Sequence, residues 1–143
     1  MDRMFSRELT ERAIAACNED REHLQRAQLL TGRVILRALD APDGNDVQIS
    51  YDFQRGRCTA HRFDEAPAPA PFRTARFAVL RDGLVRITAS YETWARLDRG
   101  ALEPEDALNS PDYKVDGNMA LLVPLTQAVN SWTAKIRALP KAY

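Results

Sequence analysis

The chain has no excess of charge of either sign: 20 lysines and arginines stand against 20 aspartates and glutamates. A neutral balance supplies no field to gather a phosphate backbone, so nucleic acid is not an expected partner. It also lowers one barrier to self-association, and a homodimer is compatible with it. Cysteine is scarce. Cys17 and Cys58 fall in separate segments that read as helix and strand, so two buried reduced thiols are expected in place of a disulfide framework. No stretch approaches the ~18 consecutive apolar residues of a membrane span. The opening residues alternate charges without the apolar region of a signal peptide, and the ending Pro140 to Tyr143 is no peroxisomal address. A cytoplasmic protein is therefore expected. A Gly-rich phosphate loop, a Ser-centred elbow and a nucleotide fingerprint are all missing.

What is present is ordinary for a globular domain: 143 residues, 45% apolar and 28% charged. One domain spanning 1–143 is expected, without internal repeats. Residues 3–30 lack Gly and Pro and are rich in good helix formers, with a weak point around Asn18 to Glu22 where the helix would break. Thr31-Gly32 would end this segment, Gly32 suiting a left-handed position after the helix. Strands are expected over 34–39, 47–53, 57–63, 72–80 and 84–89. Val47, Ile49, Tyr51 and Phe53 share one face of the second strand. Pro42 to Asp46, Arg55-Gly56 and Arg81-Asp82-Gly83 read as turns, the last as a tight hairpin. The alternating Ala-Pro run at 66–71 reads as an exposed, semi-rigid connection.

The period then changes to that of a helix. Ser90 caps a short helix carrying Trp94 and Leu97 and closed by Gly100. Pro104 opens another turn, stopped by Pro111. Asn118 caps a last helix whose apolar face is Leu121, Leu125, Ala128, Trp132, Ile136 and Leu139. Pro124 predicts a bend in it, because an interior proline would otherwise cost ~3 kcal/mol. Helix, antiparallel strands and then helices make an α+β fold with helices on one sheet face.

Three pieces of the last third of the chain carry a likeness. The segment Ile87 to Gly100 (ITASYETWARLDRG) resembles the strand, capping residue, short helix and closing glycine of the sterol carrier protein type 2 family. Leu102 to Ala107 (LEPEDA) is similar to the turn that follows in the family. Tyr113 to Leu122 (YKVDGNMALL) is similar to its strand-Gly-Asn-helix element. The pieces stand in the family's order and spacing, whereas residues 1–86 agree only in element order. Pro124 departs from the basic or polar residue usual near that point, and the Pro-rich run at 66–71 is also unusual.

The resemblance implies a five-stranded, mostly antiparallel sheet covered by an N-terminal helix and C-terminal helices, enclosing an apolar tunnel. It implies a non-catalytic protein that binds or transfers a hydrophobic small molecule, such as a fatty acyl, sterol-like or isoprenoid lipid, with no cofactor and no metal. The implied lining is Phe77, Val79, Ile87, Trp94, Leu97, Leu102, Met119, Leu122, Leu125 and Trp132, each of which also suits ordinary core packing. Met119 has the flexible thioether that suits an adaptable pocket. Peripheral membrane contact and an enzyme partner are compatible with the same reading.

Two other classes compete with this reading. One is an accessory protein that scaffolds an enzyme handling a hydrophobic intermediate. The other is a small cone-shaped α+β enzyme. Such a protein usually finishes on strands, where this chain finishes on a helix with Trp132 and Ile136. It also needs an Asp or His pointing into its cavity; none stands out, and a buried Asp–His pair would revive this class. His61 with Asp64 and Glu65 matches no zinc spacing and reads as a solvated strand end. His23, among Glu22, Gln25 and Arg26, reads as a surface residue. Cys17 has no activating partner in its helix. Arg33, Arg37, Arg55, Arg57, Arg62, Arg73 and Arg76 read as a loose cluster at the sheet edges, on a solvated face.

Overall fold

Ser6 starts the first helix: its Oγ accepts the Leu9 N–H at 3.1 Å, and α1 runs over Arg7–Asn18. The expected break follows because Asp20 caps a new helix, α2 (Arg21–Arg26), through the His23 N–H at 3.0 Å. The computed structural model describes residues 1–143. Beyond α2 come β1 (Gly32–Leu39), β2 (Asn45–Gln54), β3 (Arg57–Pro67), a 3-10 turn (Pro71–Thr74) and β4 (Val85–Ser90). They are followed by α3 (Tyr91–Asp98), α4 (Pro104–Ala107), β5 (Lys114–Gly117), α5 (Met119–Leu122), a second 3-10 turn (Val123–Leu125) and α6 (Thr126–Ala138). This is an α+β protein. None of its helices is long and apolar enough to cross a membrane.

The five strands form one sheet in the order β3-β2-β1-β4-β5, antiparallel except for the central β1–β4 pair, which is parallel. Register sorts the side chains. Leu36 lies opposite Ile49 on one side and Ile87 on the other, and Ile87 lies opposite Val115. Val34, Tyr51 and Val85 form the row on one side of these residues on the same face, and Ala38, Val47 and Ala89 the row on the other. Against this inner face pack the helices. At one end Leu125, Ala128 and Trp132 form a core with Val47, Ile49, Tyr51, Phe53, Cys17 and Cys58. At the other, Tyr91 and Ala95 join Met4, Ala38 and Ala41.

The β2–β3 connection is a two-residue turn with both φ values positive, Arg55 at 51° and Gly56 at 85°. Gly56 is required for a second reason. A Cβ there would sit 2.6 Å from the Ala27 side chain, where the turn tucks beneath α2 and donates to the Leu30 carbonyl at 2.8 Å. The Asn18 carboxamide pairs with both backbone groups of Cys58, each at 2.9 Å, and ties α1 to β3.

Several local expectations are met. Ser90 caps α3 through the Thr93 N–H, Gly100 follows its end with φ 75°, and Asn118 caps α5 through the Ala120 N–H. Pro124 bends the last segment into α5, a 3-10 turn and α6.

Three expectations are corrected. Gly32 does not close a helix: α2 stops at Arg26, and Gly32 opens β1 with φ 133°. Residues 72–80 form no strand, and Asp82-Gly83 makes no hairpin between strands, only an isolated bridge from Val79 to Gly83. The cause is competition for ladder partners. β4 is paired on one side by β1 and on the other by β5, so no free edge remains beside it. Segment 71–82 is instead held by side chains. Arg37 captures the Phe72 carbonyl, the Asp82 carboxylate accepts the Ala78 N–H at 2.7 Å, and Arg86 reaches the Ala75 carbonyl at 2.9 Å. The arginine cluster is also misplaced in a reading of sheet edges, since β1 is the middle strand and Arg33 and Arg37 lie at the sheet's centre.

Candidate functional site

The sheet has two unlike faces, one packed beneath the helices and one crossed by segment 71–82. On the inner face burial is uneven from strand to strand. Val47 and Ile49 on β2 are 0% and 2% exposed, as strand residues beneath helices should be. Val34 and Leu36 on the neighbouring and more central β1 are half-buried at the margin of the larger core, and Ile87 on β4 is half-buried as well. The reason is where the helices sit. α6 packs on α1 and α2, whereas α3 packs on β1, β4 and α4. The two are fastened at their C-terminal ends, where Lys141 Nζ contacts both Asp98 carboxylate oxygens at 2.8 Å and Arg137 donates to the Asp98 carbonyl at 3.4 Å.

The implied lining residues divide by place. Trp132 and Leu125 are buried together in the larger core, Trp132 edge-on to Tyr51 and Phe53 with ring centroids 5.2 and 5.0 Å away. Ile87 is half-buried on β4, Trp94 and Leu97 on α3, Leu102 just beyond it and Leu122 on α5. Trp94 is oriented by its indole N–H, which donates to the Arg37 carbonyl at 2.7 Å, and by Phe5 and Tyr113 at either side. Met119 is exposed on α5, beside exposed Val115, Leu121 and Val123. Phe77 and Val79 stand apart from all of these. They belong to the segment that crosses the outer face, where Phe77 lies beneath the Arg86 guanidinium and Val79 is exposed.

That outer face carries a cleft of about 700 Å³ between the sheet and segment 71–82. Its floor is polar: Arg33 and Arg37 from β1, Gln48 and Ser50 from β2, Arg62 and Asp64 from β3, and Arg86 from β4. Asp46 anchors its roof. This carboxylate is 0% exposed and accepts the Asp40 and Ala70 N–H groups at 2.9 and 2.8 Å and two nitrogens of Arg73 at 2.5 and 2.7 Å. Burial pushes its pKa upward, but the Arg73 pair and the two amides outweigh it and hold the pKa at about 2. The sequence marks Asp46 only as part of a turn. A residue buried by partners 24 and 27 positions away leaves no local signal.

The titratable groups singled out from sequence fall as follows. His61 is an exposed residue at the rim of the outer cleft. No group of three or more His, Cys, Asp or Glu side chains is placed to hold a metal ion. Burial raises the Cys17 and Cys58 thiols to about 12 and about 11, which leaves them protonated and poor nucleophiles. The buried aspartate of the outer face, Asp46, pairs with Arg73 and with no histidine.

His23 is corrected from surface to core. It is 2% exposed between α2 and α6, with Nδ1 2.7 Å from Ser131 Oγ and its ring beside Trp132. Burial lowers its pKa below the usual 6.5, so the folded protein holds it neutral while the unfolded chain takes up a proton near 6.5. Its stabilising effect is complete above that value and is lost as the pH falls through the folded pKa. Thermal melts from pH 8 to 5 should show the midpoint dropping below about pH 6.5. His23→Gln, which keeps a partner for Ser131, should flatten that drop. An equal slope in the variant would remove His23 from the account.

At the level of sequence, no family model and no curated protein matches this chain. Solved structures do. The crystal structure of a sterol carrier protein 2 superposes with a TM-score of 0.74 at 21% identity, covering 96% of this chain and 99% of that one. A conserved hypothetical protein of Thermus thermophilus, described as possibly a sterol carrier protein, gives 0.74 at 20% identity over 99% and 93%. The apo form of sterol carrier protein 2 from Yarrowia lipolytica gives 0.57 at 11% identity over 97% of each chain. The chain has the sterol carrier protein 2 fold.

Proposed function

We propose that this protein binds a hydrophobic small molecule, without covalent chemistry, in an apolar groove on the inner sheet face between α3 and α6. The observation that carries this reading is the half-buried state of Val34, Leu36 and Ile87, three inner-face residues of the middle strand and its parallel neighbour, in a fold shared with sterol carrier proteins. Trp94, Leu97, Leu102 and Leu122 are half-buried around them. Leu125 and Trp132 form the packed end of the groove, and Met119 and Leu121 its exposed rim. An elongated ligand would complete the cover that the helices leave open and turn the groove into a tunnel. Such a ligand gains ~0.8 kcal/mol for each methylene taken out of water. With few polar groups along the groove, affinity rises with chain length and discriminates little between head groups. The accessory role, handing such a molecule to an enzyme, uses the same groove together with exposed Val115, Met119 and Val123.

The test is displacement of a fluorescent fatty acid by oleate, with native mass spectrometry of the purified chain for retained lipid. Saturable one-to-one binding is expected. Ile87→Phe, which enlarges a side chain within the groove, should weaken it roughly tenfold, since two excluded methylenes amount to about one decade. Absence of both retained lipid and saturable displacement would sink the reading.

A further inference from the structure

The outer-face cleft has no counterpart in a scheme built on apolar cargo, and its electrostatics are unbalanced. Most of its charges are matched. Arg33 pairs with Asp52 at 2.7 Å, Arg62 with Asp64 at 3.1 Å, Arg81 with Asp82 at 3.2 Å and Arg86 with Asp116 at 3.1 Å. Arg37 and Arg76 have no carboxylate partner, against one unpaired carboxylate, Glu65, at the rim.

Arg37 is the anomaly. Its side chain stands at the centre of the sheet and the residue is 3% exposed, yet no acid meets it. Nε donates to Gln48 Oε1 at 2.7 Å, Nη2 to the Phe72 carbonyl, and the guanidinium lies 5.6 Å from the Phe72 ring centroid. Nη1 has no protein partner, and the side chain lines the cleft. Burial, with Arg86 nearby, outweighs the opposing pull of Asp116 and lowers the Arg37 pKa to about 10, which still leaves it charged at neutral pH. A buried unpaired charge is costly, and evolution ordinarily supplies a counter-ion. Here the chain supplies two neutral acceptors and an aromatic face, and leaves one guanidinium edge to the cavity.

The cavity is suited to an occupant that would provide the missing charge. Its volume lies within the roughly 300–1,000 Å³ usual for small-molecule sites. Phe72, Phe77 and Ile35 give it apolar walls beside the arginines. Guanidinium edges recognise planar carboxylates and phosphate oxygens through paired N–H donors. We propose that this cleft is a second binding site, for a small molecule bearing a carboxylate or phosphate on a flat or apolar body, with Arg37 and Arg76 meeting the anion and Phe72 and Phe77 its body. A flat membrane surface does not fit, because Arg37 lies beneath segment 71–77, out of reach of a lipid headgroup in a bilayer. The site is separated from the inner groove by the sheet itself, so the two can succeed or fail independently.

The test is titration of the full chain with phenyl phosphate and with benzoate, followed by amide NMR shifts, with benzamide as the uncharged control. Saturable shifts at Arg37, Gln48, Phe72 and Phe77 are expected at millimolar concentration for one or both anions and none for benzamide; which anion binds more tightly identifies the source chemistry. Arg37→Met should abolish the shifts. Since that variant also removes a buried tie to Phe72, the exposed Arg76→Ala decides: it should weaken binding roughly tenfold, the worth of one charge-assisted hydrogen bond, with an unchanged melting temperature. Three results would overturn the proposal. They are no saturable shift with either anion, equal affinity in Arg76→Ala and the unaltered chain, and binding confined to phosphatidylglycerol vesicles.

Discussion

Trp132→Ala is expected to lower the unfolding free energy by about 3–5 kcal/mol, the range for removing a large aromatic side chain from a packed core. The indole is 8% exposed and joins three elements. It brings α6 against β2 through Tyr51 and Phe53 and lies beside His23 of α2. Edge-on aromatic pairs contribute ~0.5–1.5 kcal/mol each beyond the area they bury, so two are lost together with the cavity term. Urea unfolding measures the loss, followed by circular dichroism because the substitution removes a fluorophore. The same variant separates two roles for Trp132. As a core residue at the packed end of the groove, its loss should reduce stability strongly while the folded fraction still binds the fluorescent fatty acid. A loss below ~1 kcal/mol with a large fall in ligand affinity would instead make it a lining residue.

The contrast between Trp132 and Arg37 shows what could be read from the residues alone. Trp132 belongs to a helical stripe with Leu125 and Ala128, and the alternation of Val47, Ile49, Tyr51 and Phe53 marks the strand face it meets. Both signals are local and periodic, and both elements form as expected. Caps are equally local, which is why Ser90 and Asn118 fall where the chain chemistry puts them. The likeness over 87–122 rests on such elements in order, and the shared fold agrees with it.

Partner choice is another matter. Residues 72–80 have strand-like composition, but nothing within them records that β4 is already paired by β1, roughly fifty residues earlier, and by β5, which follows later. The parallel β1–β4 pair is likewise invisible to a reading by adjacent hairpins. Burial of a polar side chain is less legible still. Arg37 and Arg86 occupy strand positions that alternate with apolar residues, the usual mark of a solvated face. They are buried because segment 71–77 crosses that face, and that segment is fixed by contacts from distant strands. The inner face was therefore legible and the outer one was not.

The holding point of that covering segment yields the second large effect. Asp46→Ala is expected to cost about 3–5 kcal/mol, because it leaves the Arg73 guanidinium with only the exposed Asp40 carboxylate and leaves the buried Ala70 N–H and the Asp40 N–H without acceptors. Asp46 has its pKa held at about 2 against the ordinary 3.8, so the stability it confers is present above the ordinary value and is lost as the pH falls toward 2. Acid unfolding followed by circular dichroism should therefore show a limb between those values that Asp46→Ala lacks. Urea unfolding at pH 7 gives the size of the effect. A cycle with Arg73→Ala gives the coupling, which should exceed about 1 kcal/mol for a pair in direct contact. Hydrogen exchange adds the spatial test: the amides of Ala70, Arg73 and Ala75 should lose protection in Asp46→Ala while those of β2 and α6 keep theirs in the folded state. Uniform loss of protection would make Asp46 part of the global core. Loss confined to 70–75 would make it the latch of the outer cleft, and opening that latch should weaken phenyl phosphate or benzoate at Arg37 while leaving fatty-acid displacement on the other face of the sheet unchanged.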